Sequence, residues 1–211
     1  MISKLRQSTF IIRISITFLL LALFACGEDE EQAVEKAKNL LNEGNFSMAI
    51  SVLDQVTQQD TDNADAWNML GIAHYETKSF EKSMNCFNKA IKINNQNYKY
   101  FYNRANAQRE LKMLLEALED YTKAIDLEKN NADIYFNRAV VFMSLNRKSE
   151  AIPDFEYCIK LAPDFAKAYF GLASANISLR QTVQPENCQQ LQKALDLGYA
   201  EAKEALALYC P

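Results

Sequence analysis

ADAWNMLGIAHYETKSFEKSMNCFNKAIKINNQN, residues 64–97, is one pass of a ruler 34 residues long. Stepping from Glu30 to Ala64, Tyr98, Ala132 and Ala166 lines up five segments whose fourth residues are Ala33, Trp67, Phe101, Tyr135 and Tyr169. The eighth residues are Ala37, Gly71, Ala105, Ala139 and Ala173, all small, as two closely approaching helices require. Further along, a small residue (Ala49, Ser83, Ala117, Ala151) precedes a bulky one by one helical turn (Leu53, Phe87, Tyr121, Phe155), and the column three beyond holds Val56, Ala90, Ala124 and Cys158. Size rather than chemistry repeats, which predicts stacked two-helix units sharing a continuous core. Polar or helix-stopping ends separate the units: Asp60 to Asn63, Asn94 to Asn97, Lys129 to Asn131, and Pro163-Asp164.

At these residues the chain resembles the tetratricopeptide repeat (TPR) family, most closely through Trp67, Leu70, Gly71, Phe80, Phe87 and Ala90. The resemblance implies an all-α fold, a right-handed solenoid of antiparallel helix pairs closed by a C-terminal capping helix. It divides the chain into repeats at 30–63, 64–97, 98–131 and 132–165, a degenerate fifth at 166–198 and the cap at 199–211. In the fifth unit Gln181 to Pro185 lengthens the turn and shifts the next helix by two residues. Leu191 to Leu208 is similar to the ending of many exported bacterial TPR proteins, where the last helix covers the apolar face of the terminal unit.

Residues 1–25 are of another kind: Lys4, Arg6 and Arg13 precede an apolar run from Ile14 to Ala25. A bilayer-spanning helix needs about 20 apolar residues, so this shorter run reads as an export signal. Leu23-Phe-Ala-Cys26 resembles a bacterial lipobox, which implies cleavage before Cys26 and fatty acids on its thiol and new amine. An ordinary secretory signal or an uncleaved anchor is the alternative. The acidic stretch Gly27 to Glu31, which overlaps the linker 26–29, resembles the tag that sends lipoproteins of the Bacteroidota to the cell surface; a solvated linker explains the same residues. The expected location is thus the cell envelope, at the outer membrane, held by lipid alone.

The whole chain has 23 basic and 27 acidic residues, and losing residues 1–25 removes three bases and no acid, for a net charge of about −7. That balance argues against nucleic acid as a partner. The one histidine, His74, sits where the family packs an aromatic; without a second there is no imidazole metal cluster or triad. No glycine-rich phosphate loop is present, and Gly71 and Gly171 fall inside helices. The chain therefore reads as non-enzymatic, with no cofactor and no metal. Pro153 follows Ser149-Glu-Ala-Ile152, which predicts a helix capped by Ser149 with the proline in or near its first turn.

Cys158 falls in a buried small-residue column, and Cys86 lies on a second helix with no evident partner. Glu186 to Leu197 and Ala200 to Tyr209 read as two helices joined at Gly198, and an antiparallel pair brings Cys188 and Cys210 to the same end. An oxidising compartment allows the disulfide, and two unrelated thiols remain the alternative.

In the family the first helix of each unit lines the concave face. Carried onto this sequence, that places Tyr75, Tyr102, Phe136, Val140, Met143 and Phe170 in an apolar patch with Asn103, Asn106, Arg109 and Asn137 beside it. Apolar anchors with polar guides suit a peptide. The resemblance implies a protein or peptide of the envelope as partner, held in this groove; an assembly subunit that uses its outer surface is the competing reading.

Overall fold

The structure, a computed structural model, describes residues 30–210; the export signal, Cys26 and residues 27–29 lie outside the described residues. Those described fold into eleven helices and no strand. After α1 (30–42) come α2 (Phe46–Gln59), α3 (Ala64–Glu76), α4 (Phe80–Ile93), α5 (Tyr98–Glu110), α6 (Leu114–Leu127), α7 (Ala132–Ser144), α8 (Lys148–Leu161), α9 (Ala166–Arg180), α10 (Pro185–Asp196) and α11 (Ala202–Tyr209). First helices start at 64, 98, 132 and 166 and second helices at 46, 80, 114 and 148, so the 34-residue ruler governs both series.

Local chemistry sets these boundaries. Asn63, Asn97 and Asn131 cap α3, α5 and α7, each side-chain oxygen accepting a backbone N–H of the first turn. The first helices of the four full units end in a left-handed residue at the same column, Gly44 (φ 77), Lys78 (φ 59), Lys112 (φ 63) and Asn146 (φ 60), while in the degenerate fifth unit it falls one place later, at Gln181 (φ 55). The next N–H then reaches back to satisfy a terminal carbonyl, Ser79 to His74 and Met113 to Gln108 among them. Only one of these four turns uses the glycine that favours such a φ. Pro153 departs from expectation: α8 begins at Lys148 with Arg147 as its cap, so Ser149 is already helical and Pro153 lies in the second turn, on an exposed face.

Each helix packs on the next in sequence, α3 on α4, α5 on α6 and α7 on α8, with α4 on α5 and α6 on α7 joining the units. Gly71 is required by closeness: a Cβ there would lie 2.5 Å from the Phe87 ring. Gly171 stands in the same relation to Phe155. Buried apolar side chains form two clusters, one from Ala37 to Cys86 and one from Phe101 to Ala175. In the degenerate unit α9 runs 15 residues, and α10 starts with Pro185 in its first turn. There the Gln184 N–H donates to Asn187 Oδ1, which satisfies a buried amide side chain. The structure joins Cys188 to Cys210, with the Cα atoms 5.8 Å apart, and so fastens α11 to α10. Cys86 and Cys158 are buried free thiols that burial pushes up to about 11 and about 12, which leaves them unreactive.

Candidate functional site: the inner wall

Successive first helices touch one another, α3 with α5, α5 with α7 and α7 with α9, while no comparable contacts join successive second helices. The stack is tighter along the first helices, which therefore line its concave wall. All ten residues expected there are half-buried on these helices.

Their side chains are engaged with neighbouring helices more than the sequence implies. Asn103 donates to Asn68 Oδ1 (2.9 Å), and Asn137 donates to the Tyr102 hydroxyl (3.1 Å) and to the Asp133 carbonyl (2.9 Å). Both side-chain bonds link fifth and sixth columns of adjacent units, so they form a ladder along the wall. The ladder stops at Gly171, which has no side chain to continue it. Arg109 donates to Asn137 (2.8 Å) and pairs with Glu110 (3.2 Å). Tyr121 donates to Asn106 Oδ1 (2.6 Å). The asparagines expected to guide a ligand instead fix one helix against the next.

The aromatic residues are also packed. Tyr75 meets Phe80 edge-on at 5.4 Å, Tyr102 leans on Tyr121, and Phe136 lies between Phe155 and Phe165. Phe170 is covered by Tyr199 of the turn before α11, at 5.1 Å. Val140 and Met143 pack on the larger core cluster. Burial raises the Tyr75 and Tyr102 hydroxyls above their ordinary range, so the wall carries neutral tyrosines near pH 7. His74 is half-buried, and burial lowers its pKa, as a packing role entails.

Open volume lies nearer the N-terminus than expected. A cavity of about 1100 Å³ runs across α1, α3 and α5, bordered by Val34, Lys38, Leu41, Phe46, Met69, Ile72, Glu76, Tyr98 and Lys99. Tyr102 and Asn103 are the members of the expected patch that line it. The displacement has a simple cause: unit one presents Val34 and Leu41 at the columns where Tyr102 and Tyr75 stand further on, and Phe136 and Phe170 are roofed by their own neighbours.

Two constellations escaped the sequence reading. Arg104 with Asp120, and Arg138 with Asp154, form paired two-contact ion pairs between the helices of units three and four. Their signal was the 34-residue spacing of both arginine and aspartate. The second is Lys89 Nζ, 3.6 Å above the Trp67 ring, beside a cavity on the outer edge of unit two. Among the described residues no cluster of metal-ligating side chains occurs, and no helix is long and apolar enough to cross a membrane.

Comparison with known proteins names this architecture. Models described as tetratricopeptide repeat match residues 32–104 and 132–165, and one described as TPR repeat matches residues 109–146. The chain is built from tetratricopeptide repeats, and its helices stack as a TPR solenoid. None of the matching families is enzymatic. The peroxisomal targeting signal 1 receptor of Dictyostelium discoideum is 33% identical over 64 residues, which cover 30% of this chain and 10% of that one. The chain thus spans about a tenth of that relative's length. MamA from Desulfovibrio magneticus RS-1 superposes with a TM-score of 0.73 at 14% identity, over 80% of this chain and 94% of that one. YrrB, described as a TPR protein with an unusual peptide-binding site, superposes with a TM-score of 0.69 at 19% identity, over 82% and 89%. At these identities the likeness is one of fold.

Proposed function

We propose that this chain is a non-enzymatic scaffold, anchored to the cell envelope by lipid on Cys26, that holds a peptide segment or helix of an envelope protein against its inner wall. The observation that carries the reading is the cavity across α1, α3 and α5. Its volume exceeds a single side chain, and its border mixes apolar anchors (Leu41, Met69, Ile72, Tyr102) with polar side chains (Lys38, Asn68, Glu76, Asn103). A rigid wall favours such a ligand, because little of the binding free energy is spent ordering the receptor. Relatives named for a targeting-signal receptor and for a peptide-binding site agree with a peptide as the ligand class.

The anchor rests on the basic, apolar, Cys26-terminated leader, and the outer-membrane and surface location on the acidic residues that follow it. An assembly subunit working through its outer surface is the second reading, favoured by the cationic edge beside Trp67. Photocrosslinkers at Ile72 and at Lys123 of the outer wall separate the two. The scaffold reading expects a product from Ile72 that Tyr102→Ala with Met69→Ala removes while circular dichroism is unchanged. Products from Lys123 alone would instead establish the assembly reading. Metabolic labelling with a fatty acid, lost in Cys26→Ser, tests the anchor separately.

A further inference from the structure

The protein is acidic overall, and so are the second helices of its repeats with one exception. In α2 the sole charge is Asp54, in α6 four acids face Lys123, and in α8 three acids face two lysines. Helix α4 carries Lys82, Lys89 and Lys92 against Glu81 alone. All three lysines are exposed, and none makes an ion pair with a carboxylate among the described residues. At its C-terminal end the strip meets a cavity of about 640 Å³ lined by Trp67, Lys89, Lys92, Ile93, Thr61 and Asp62. Ile93 is 38% exposed, and the Trp67 indole N–H donates to the Thr61 carbonyl, which fixes the ring at the edge of the stack. Exposed cations, one of them seated on an edge-bound indole, and an exposed aliphatic side chain are the combination that suits a bilayer interface, with Asp62 as the carboxylate lining the cavity and Glu30 beside the same loop.

The path of the chain points to the same occupant. Asn63 donates to Glu30 Oε1 at 3.0 Å, so α1 begins against the loop that forms one wall of this cavity. Cys26 is four residues before Glu30, a reach of at most about 14 Å in extended chain. A lipid on Cys26 would hold the bilayer surface beside Lys89, Lys92 and Trp67.

We infer that the outer face of α4, with Trp67 and Ile93 at its end, is a membrane-contact surface that docks on anionic lipid headgroups. The inference rests on the reading of Cys26 as the lipid-bearing residue, because the tether raises the local concentration of headgroups at a face whose three lysines attract them only weakly. Attraction of the lysines to the surface falls off over a Debye length, about 8 Å at physiological salt. Because α4 belongs to the outer wall, docking there leaves the inner wall open to a ligand.

Trp67 is the only tryptophan of the chain, so its fluorescence reports on this face alone. The full lipid-bearing protein is reconstituted in vesicles of phosphatidylcholine, and in vesicles that also contain phosphatidylglycerol. The expected result is a blue shift of Trp67 emission, with quenching by lipids brominated near the headgroup, in the second vesicles only. High salt and the double variant Lys89→Glu, Lys92→Glu should both abolish the shift, with helicity retained. Identical emission in the two vesicles overturns the proposal. So does an equal shift with soluble glycerol phosphate, which would make this a small-anion site, or a shift with polyglutamate while the vesicles leave emission unchanged, which would make it an acidic-peptide site. Flotation on the neutral vesicles reads the anchor independently. Protein that fails to float yet responds to phosphatidylglycerol refutes the anchor and keeps the contact surface; protein that floats with Trp67 silent refutes the surface alone.

Discussion

Arg104 grips Asp120 through two hydrogen bonds of 2.6 and 2.7 Å, and its remaining nitrogen reaches back to Asn88 of the preceding unit at 2.7 Å. One unit on, Arg138 holds Asp154 through two bonds of 2.7 Å and reaches Thr122 at 3.2 Å. Each arginine thus ties its own helix pair together and fastens it to the unit before. Unit two holds Leu70 and Cys86 at the corresponding columns, so an apolar pair takes the place of the ionic one.

Removing one partner of such a pair should cost more than removing both. The aspartates are nearly buried, at 7% and 8% exposure, while the arginines keep some contact with solvent. Asp154→Ala is expected to lower the unfolding free energy by about 2–3 kcal/mol, because Arg138 is left without its counter-charge. Arg138→Met with Asp154→Leu should recover part of the loss. Urea titrations of the three variants check both values.

The left-handed turns offer a gain. Lys78 and Lys112 hold positive φ with a Cβ that disfavours it, by about 1–2 kcal/mol. Glycine relieves that strain but costs about 0.5–1 kcal/mol in chain entropy. Lys112→Gly should therefore raise stability by about 0.5 kcal/mol, seen as a small increase in Tm. An unchanged or lower Tm would show that the entropy cost of glycine matches or outweighs the strain relieved.

Gly71 behaves in the opposite sense. A methyl group there meets Phe87 at 2.5 Å, in a packed core that cannot yield without moving the ring. Gly71→Ala is expected to destabilise by about 1–3 kcal/mol. The companion change Phe87→Leu should soften the effect, which a double-mutant cycle measures directly.

Alkaline stability follows from Tyr100. Its hydroxyl is buried, and it donates to Asp65 at 2.5 Å; burial first, and that bond second, raise its pKa to about 12 from the ordinary 10. The proton is held more tightly in the folded chain, so this contribution is complete below pH 10 and disappears as pH rises from 10 to 12. Tyr121, raised still further by burial, acts in the same direction. Tyr100→Phe should give a shallower loss of stability over that range in pH-dependent denaturant titrations.

The cap can be tested by reduction. The Cys188–Cys210 bond closes a loop of 22 residues and confines α11, which buries only Ala202 completely. Cys210→Ser should cost the cap about 3 kcal/mol. Hydrogen exchange should rise in α10 and α11 and stay unchanged in α5 to α8.

The periodic columns made the helix pairs legible, since Gly71, Ala105 and Ala139 set helix proximity and Asn63, Asn97 and Asn131 set helix starts. They did not reveal how the side chains of the inner wall are partnered. A column tells which face of a helix a residue occupies, but not which neighbour comes to meet it. Asn103 and Asn137 both lie on first helices, and each is bonded to a residue 35 positions earlier, a relation visible only once helices lie side by side. Phe170 likewise met a covering ring from beyond the last full repeat, where the ruler no longer applies. The turns were opaque for another reason: Lys78 and Lys112 give no hint of left-handed backbone, because the surrounding helices impose it.

The division of the apolar interior into two clusters has a mechanical meaning. Where α3 and α4 meet α5, Tyr100 bonds Asp65, Asn103 bonds Asn68 and Arg104 bonds Asn88. Water can replace such links as they part, whereas it cannot replace lost oil-to-oil contact. Strain along the molecule should concentrate at this joint, leaving each half intact, and the joint lies beneath the cavity that spans α1, α3 and α5.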